Sequence, residues 1–506
     1  MGSSELLEKL HAIDRESLYL ERAASVLHWD QETYLPEKGV KERSEQLALL
    51  EGIAHEKLTS PETGRLLSEL GSSTENPSGD EKLPELERDF LKVLRRNYDR
   101  AVKLPGEFVS AAARAEGLSQ AAWVTAKRDN NFSVFLPHLI KMIDFSRQRA
   151  IYWGYKDNPY DGLLDIYEKG MGVKAISEVF TPLGKRLNEL LKKISSKPQP
   201  DNSFLNQEFD IEKQAGFSRD LLKSLNFDTN RGRLDVSAHP FTTTLGSDDI
   251  RITTRYLKRQ VQSGIFSTIH EAGHAFYEMG FPGELRPSSL ADGASMGIHE
   301  SQSRLWENVI GRSRAFWEAM YPVLRSYFPG PLSSFTAEDF YRAINLVEPS
   351  LIRIEADEVT YSLHIIVRFE IESELFQGSL DPAKLPEAWR EKMKELLGVE
   401  PETDAQGVLQ DVHWSMGSFG YFPSYALGNL YGLQFWEKLR SDIPGAETQI
   451  AQGNFAPVRD WLRDTIYIWG CRKDPSELLK IVTGKSLSAE PFLDYIESKY
   501  AGIYGF

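Results

Sequence analysis

The chain has 506 residues, of which 59 are Lys or Arg and 74 are Asp or Glu, so its formal net charge is −15. That balance argues against a nucleic-acid-binding protein, because such proteins need a basic face to displace the counterions of phosphates. Hydrophobic residues make up 41% of the chain and charged residues 26%, which is typical of a soluble globular protein.

Cysteine content and apolar runs bear on the location of the protein. The single cysteine, Cys471, excludes an intramolecular disulfide and a Cys-based zinc or redox centre, and a lone thiol suits a reducing compartment. The first residues do not read as a signal peptide, and nowhere do about 18 consecutive apolar residues occur. We therefore expect a cytoplasmic protein that has no membrane partner.

Long stretches of the chain show helical rather than strand periodicity, so we expect a mainly α fold. Loop signals occur at 71–84, 196–203 and 280–289, but none is long enough to require a domain boundary. We predict one large helical unit over residues 1–506, with an N-terminal helical part of about 1–230 and a part of about 231–506 that carries the candidate site.

The main exception to the helical pattern is HPFTTTLGSDDIRITTRY, from His239 to Tyr256. Its β-branched residues flank Gly246, Ser247 and Asp248, which form a turn-prone cluster. We predict a β-hairpin in this segment.

The segment VQSGIFSTIHEAGHAFYEMG contains an HExxH motif. Its apolar residues run along one side, and Gly280 followed by Pro282 provides a stop, so we predict an amphipathic helix. His270 and His274 then project from one face, and their nitrogens can reach one zinc ion at about 2.0–2.1 Å. Glu271 is placed to take a proton from a water on the metal rather than to bind the metal itself.

A pair of structural histidines in the core is the alternative interpretation. The chain has ten histidines, and a random HExxH match in such a chain has a probability of roughly one or two in a hundred. The helical setting lowers that probability further, so we favour the zinc site.

Catalytic zinc needs a third protein ligand and one open position. Glu300, near the start of a second predicted helix in GIHESQSRLWENVIGRS, would complete a His–His–Glu set. The alternative is that Glu300 only pairs with Arg304 one turn later, an exposed ion pair of little energetic value. His299 and Glu307 are rival ligands on the same segment.

A long helix is predicted for LIRIEADEVTYSLHIIVRFEIESEL, because its apolar residues recur at steps of four and three. Pro349 suits the first turn of that helix. Arg353, Asp357, Tyr361 and His364 would then share the face away from the apolar stripe. A buried polar network that braces the helix is one role for this face.

Three polar side chains lie in the late segment QDVHWSMGSFGYFPSYALGNLYG, namely His413, Tyr421 and Tyr425. From the sequence alone, tyrosines in such an aromatic run are more often part of the core or of a wall, because the ring is mainly apolar area.

Taken together, these motifs resemble those of the thermostable carboxypeptidase (carboxypeptidase Taq) family of zinc metallopeptidases. The matching segments are spread over nearly the whole chain: WDQETYLP at 29–36, HPF at 239–241, DIRIT at 249–253, HEAGH at 270–274, HESQ at 299–302, IRIEAD at 352–357 and GVLQDVHW at 407–414.

The resemblance implies a mostly helical, deep-grooved architecture like that of angiotensin-converting-enzyme-like and oligopeptidase-like zinc peptidases. It implies that Glu300 is the third zinc ligand. It also implies that Arg353 holds the C-terminal carboxylate of the substrate through its planar fork, with Arg251 as the alternative.

Similarity to oligopeptidase-like enzymes implies that His413 and Tyr425, with Tyr421 close behind, donate hydrogen bonds to the oxyanion. The hairpin around His239 would lie beside the groove and pair with the substrate backbone, although a purely structural role is an equal alternative.

The expected function is that of a zinc-dependent carboxypeptidase of broad specificity, acting on peptides with a free C-terminus. One Zn²⁺ is expected per chain, with Co²⁺ or Mn²⁺ as substitutes, and members of the family commonly form homodimers. An endo-acting oligopeptidase or a dipeptidyl carboxypeptidase with the same metal site is the nearest alternative. A catalytically silent helical binding protein is the alternative from a different class.

Overall fold

The structure, a computed structural model, describes residues 2–506. It is 68% helical, so the prediction of a mainly α fold is confirmed. The α-helices are α1 Ser3–Thr33, α2 Val40–Leu58, α3 Pro61–Glu69, α4 Glu85–Val102, α5 Gly106–Arg128, α6 Phe132–Trp153, α7 Pro159–Tyr167, α8 Val173–Ser195, α9 Ile211–Ser224, α10 Val261–Gly280, α11 Met296–Arg304, α12 Arg314–Tyr327, α13 Pro329–Leu332, α14 Ala337–Ile344, α15 Tyr361–Gln377, α16 Leu385–Leu397, α17 Pro423–Asp442, α18 Ala446–Ala451, α19 Ala456–Thr465, α20 Pro475–Thr483 and α21 Glu490–Tyr504. Among residues 2–506, every helix is too short or too polar to cross a lipid bilayer.

One small sheet contains three strands, β1 Gly232–Val236, β2 Thr242–Gly246 and β3 Asp249–Thr254. The predicted hairpin is confirmed, because β2 and β3 pair antiparallel with Thr242 opposite Ile252 and Thr244 opposite Ile250. The sequence analysis missed β1, which pairs parallel with β3. A short parallel strand is stabilised by its distant partner, and its own periodicity is therefore a weak signal.

The sheet lies between α1 and α10, and successive side chains of its strands point to opposite faces. Ile250 and Ile252 are fully buried in the main core. Arg251 points to the other face, where its guanidinium carbon lies 4.4 Å from the ring centroid of Trp29 on α1. The sheet therefore has one face toward α10 and one toward the N-terminal helix.

The long helix predicted to begin near Pro349 begins instead at Tyr361, so that prediction was wrong. A short 3-10 turn, Arg353–Glu355, precedes it, and Ile354, placed inside the predicted helix, is 70% exposed. Between the two, the carboxylate of Asp357 accepts from the backbone N–H groups of Val359 and Thr360 and holds the turn that leads into α15. Arg353 therefore does not share a helical face with Tyr361.

Two apolar clusters hold the helices together. The larger cluster runs from α5 to α21 and includes the buried side of α10. The smaller cluster joins α1, α3 and α4 to Leu285, Leu290 and Cys471 in the part of the chain after α10. The N-terminal helices thereby pack against the part of the chain that follows the HEAGH helix.

Candidate metal centre

Helix α10 carries the HEAGH motif as predicted and ends at Gly280. Its apolar side, including Ile265, Ile269 and Ala272, is buried in the core. His270 and His274 lie one turn apart with ring centroids separated by 4.9 Å. Their side chains are 18% and 16% exposed, so both rings are partly accessible at the surface of the helix.

Helix α11 packs unusually close to both α10 and α17, because glycines stand at the two contacts. A Cβ atom on Gly273 would lie 2.7 Å from Cα of Ser303, and a Cβ atom on Gly428 would lie 2.6 Å from Cγ of Glu300. These separations leave no room for a methyl group. The absence of side chains at the two positions is what brings Glu300 up to the histidines.

The two histidines and Glu300 form a compact donor set. Oε2 of Glu300 lies 3.8 Å from Nε2 of His270 and 3.5 Å from Nε2 of His274, and the three ligand atoms lie within 4.8 Å of one another. Ligand atoms about 2.0–2.1 Å from a tetrahedral zinc ion are themselves about 3.3 Å apart. The donor set therefore fits a divalent metal in both chemistry and spacing.

The ion pair proposed as an alternative for Glu300 is present as well, but it is buried. Nε of Arg304 donates to Oε1 of Glu300 at 2.7 Å, and the Glu300 side chain is 8% exposed. Burial alone would raise the pKa of Glu300, but Arg304 and His270 outweigh it and hold the pKa well below its usual range. One oxygen of Glu300 thus binds Arg304 while the other faces the histidines.

The two rival ligands lie outside the three-ligand cluster and bind the far nitrogens of its histidines. Oε2 of Glu307 lies 2.8 Å from Nδ1 of His270, and Nδ1 of His299 lies 2.6 Å from Nδ1 of His274. Both histidines therefore have an orienting partner on the nitrogen that faces away from Glu300. Glu307 sits in a π-helical turn, Leu305–Ile310, that continues directly from α11.

Sequence reasoning missed a further carboxylate in this cluster, Glu278, whose Oε1 lies 2.8 Å from Nε2 of His299. Its spacing of four residues from His274 on an established helix was the available signal, since that spacing keeps both side chains on one face. The partner on α11, however, is brought there only by the fold.

Glu271 is 6% exposed and lies beside the donor set without belonging to it. The hydroxyl of Thr242 on β2 donates to its Oε2 at 2.6 Å. Burial raises the pKa of Glu271, and the neighbouring His270 opposes that increase. A carboxylate with a raised pKa is well suited to accept a proton near neutral pH.

The late-segment side chains gather next to Glu300. Nε2 of His413 lies 3.4 Å from the hydroxyl oxygen of Tyr425, and the rings of Tyr421 and Tyr425 are 5.2 Å apart. Tyr425 is one turn before Gly428, the residue of α17 that contacts Glu300. Burial lowers the pKa of His413 to about 4, so its imidazole is neutral at pH 7.

Arg353 is 7% exposed, and its side chain extends to the same cluster as His413, Tyr421 and Tyr425. Its Nε and Nη2 donate to Oδ1 of Asp411 at 3.0 and 2.9 Å, and its Nη1 donates to the Tyr361 hydroxyl at 3.2 Å. The fully buried Arg368 shares Asp411 from the other side. Two guanidinium groups thus share one carboxylate, which leaves a net positive charge beside Tyr425.

The two candidate substrate-binding residues of the hairpin, His239 and Arg251, lie at different places relative to Glu271. His239 is exposed and lies three residues before Thr242, at the end of β2 that contacts Glu271. Arg251 binds Asp249 through two hydrogen bonds of 2.9 Å and stacks on Trp29. Arg251 is therefore on the opposite face of the sheet from Glu271.

Comparisons with known proteins identify the family of this chain. The family model for carboxypeptidase Taq (M32) metallopeptidases matches residues 9–500. Thermostable carboxypeptidase 1 of Thermus thermophilus is 41% identical to this chain over 98% of it and 99% of the relative. Carboxypeptidase 1 of Bacillus subtilis is 40% identical over 97% of each chain.

A solved structure of the M32 carboxypeptidase of Deinococcus radiodurans superposes with a TM-score of 0.96 at 37% identity. It covers 99% of this chain and 100% of that one. The match therefore extends over all the elements that build the site. The chain belongs to the carboxypeptidase Taq (M32) family of metallopeptidases, and it is a metallocarboxypeptidase.

Proposed function

We propose that this enzyme is a zinc carboxypeptidase of broad specificity that releases single residues from the C-termini of peptides. The observation that carries the proposal is the donor set of His270, His274 and Glu300 within 4.8 Å, with Glu271 beside it. We assign the three residues of that set as the metal ligands. When bound, the ion acts as a Lewis acid toward the scissile carbonyl and lowers the pKa of water.

Glu271 is the general base in this proposal. Its carboxylate accepts a proton from the attacking water and then passes it to the nitrogen of the leaving amine. Thr242 donates to Oε2, and we assign Oε1 as the oxygen that takes the proton. Burial keeps competing solvent away from this proton transfer.

Tyr425, Tyr421 and His413 are proposed to stabilise the oxyanion. Negative charge develops on the former carbonyl oxygen, and donors fixed in advance near that position lower the barrier most. The position of Tyr425 one turn from the Glu300 contact supports it as the first donor. Burial raises the pKa of Tyr425 well above its usual value, so its hydroxyl stays protonated and can donate.

Arg353 is proposed to bind the C-terminal carboxylate of the substrate, because the pair of guanidinium groups around Asp411 has one positive charge to spare. His239 is proposed to contact the substrate at the exposed end of β2. Arg251 was predicted as the alternative carboxylate binder, and its contacts with Asp249 and Trp29 favour a role in docking α1 on the sheet instead.

Chelation and a peptide ladder test the function together. Incubation with a chelator is expected to abolish hydrolysis, and zinc is expected to restore it, with Co²⁺ or Mn²⁺ giving some activity. Mass spectrometry of a digested peptide should then show successive losses of one residue from the C-terminus. Internal cuts or losses of two residues would support the endo-acting or dipeptidyl alternative, and chelator-insensitive activity would contradict a metal mechanism.

Gly428→Ala should weaken metal binding, because the new methyl group would meet Cγ of Glu300 at 2.6 Å. We expect the metal dissociation constant to rise about tenfold or more, the range found when groups that support a ligand are disturbed. Competition with a chromogenic chelator measures the change. Gly117→Ala on α5 is the matched control, since nothing lies within 4 Å of its added Cβ atom. Equal metal affinity in both variants would show that close packing at Gly428 does not place Glu300.

We also propose a cytoplasmic homodimer in which residues 1–506 act as one folding unit. The lone buried thiol of Cys471 supports the reducing compartment. The smaller apolar cluster, which joins α1, α3 and α4 to the segment after α10, supports a single unit. Light scattering and a single calorimetric transition would test the two structural parts of this proposal.

A further inference from the structure

Strand β2 presents two threonines to α10. Successive residues of a strand point to opposite faces, so Thr242 and Thr244 share one face and Thr243 lies on the other. Thr242 donates to Glu271, and the hydroxyl of Thr244 donates to Oε2 of Glu278 at 2.9 Å. The two acceptors are seven residues apart on α10, which is close to two helical turns and places them along one side of that helix.

The hydrogen bond from Thr242 directly restricts the orientation of the Glu271 carboxylate, the proposed general base. Oε2 of Glu271 lies 2.6 Å from the Thr242 hydroxyl oxygen, and the backbone carbonyl oxygen of Glu271 lies 3.0 Å from the same atom. A donor held by the backbone of a strand fixes the rotation of the carboxylate, and so determines where Oε1 points. Loss of the hydroxyl would let the carboxylate rotate within its pocket.

The Thr244 contact begins a chain of hydrogen bonds that ends at His274. Thr244 donates to Oε2 of Glu278, while Oε1 of Glu278 accepts from Nε2 of His299. Nδ1 of His299 lies 2.6 Å from Nδ1 of His274, so the chain holds the His274 ring by Nδ1 and leaves Nε2 directed toward Glu300.

We propose that β2 is a positioning strand with two separate tasks: Thr242 orients Glu271 for proton transfer, and Thr244 fixes the ring of His274 for metal binding through Glu278 and His299. The proposal rests on the assignment of His274 and Glu271 in the proposed function. In this proposal the four supporting residues, Thr242, Thr244, Glu278 and His299, bind neither the metal nor the substrate. They act through the groups they hold.

Three isosteric variants of neighbouring threonines separate the two tasks. Thr242→Val should lower kcat about 10- to 100-fold, the size of effect expected when a reacting group is displaced by about 1 Å, while the metal dissociation constant stays the same. Thr244→Val should raise the metal dissociation constant about three- to tenfold, and should lower kcat with excess metal less than Thr242→Val does. Thr243→Val, on the opposite face, should change neither quantity.

The measurements are kcat and KM for one peptide, the metal dissociation constant from chelator competition, and the melting temperature. Thr242→Ser, which keeps the hydroxyl, should recover most of the lost kcat. If Thr242→Val and Thr243→Val have the same kcat, or if the serine variant is as slow as the valine variant, the role of Thr242 is refuted. If Thr244→Val binds metal as tightly as Thr243→Val, the role of Thr244 is refuted.

Glu271→Gln serves as the reference that separates this inference from the proposed function. If Glu271→Gln is inactive while Thr242→Val is fully active, the general base stands and only its positioning by β2 is wrong. If Glu271→Gln itself retains high activity, the proposed mechanism fails, whatever the threonine variants show.

Discussion

Glu271→Gln is expected to abolish peptide hydrolysis while leaving the metal bound. The amide has nearly the same shape as the carboxylate, and its oxygen can still accept from the Thr242 hydroxyl, so the pocket should be preserved. An amide cannot accept a proton at neutral pH, however, and general acid–base catalysis contributes about 10²- to 10⁴-fold. We expect kcat to fall at least about 10³-fold, measured by the release of C-terminal residues from a peptide.

Metal content is the control for this experiment. The three assigned ligands, His270, His274 and Glu300, are unchanged in the variant, so elemental analysis should give the same metal-to-protein ratio as in the parent enzyme. A variant that has lost its metal would say nothing about proton transfer. Turnover within about tenfold of the parent in a fully metal-loaded variant would contradict the assignment of Glu271 as the base.

Features that depend on local periodicity were predicted well from the sequence. The HEAGH helix, its end at Gly280 and the β2–β3 hairpin all appear where they were expected. In each case the apolar pattern and the turn residues act over a few neighbouring positions. The main-chain hydrogen bonds that follow from such patterns are also local, so distant contacts do not overturn them.

The start of α15 could not be predicted in that way, because a local turn and a distant contact override the apolar pattern. Asp357 holds the turn before α15 with both carboxylate oxygens engaged, and Oε1 of Gln410 accepts from the N–H of Arg353. Gln410 is 57 residues away in sequence. Periodicity alone contains no information about such a partner.

The residues that surround the proposed metal ligands could not be predicted from the sequence for a related reason. Glu300 was predicted as a ligand because it lies in a recognisable motif, whereas the hydrogen bonds of Thr242, Thr244 and Glu278 depend on contacts between β2, α10 and α11. Their residue types are ordinary for a strand and a helix surface. Only the packing of the three elements, which depends on the absence of a side chain at Gly273, turns them into one hydrogen-bonded network.

Arg353→Ala should lower kcat/KM for peptides with a free C-terminus about 30- to 4,000-fold, since loss of one partner of a buried charged pair costs about 2–5 kcal/mol. Peptides with an amidated C-terminus, which have no carboxylate to bind, should be hydrolysed as slowly by the variant as by the parent enzyme. Arg353→Lys should recover only part of the loss, because lysine keeps the charge but not the planar fork.

The comparison between free and amidated peptides also tests the bracing role of Arg353. Without Arg353, Asp411 keeps Arg368 as an ionic partner, so the segment around His413 should retain most of its structure. If Arg353 only braces that segment, the variant must lose activity equally toward both kinds of peptide, because the oxyanion donors would be displaced for each. A selective loss toward free C-termini therefore identifies carboxylate binding, since a structural defect cannot distinguish the two substrates.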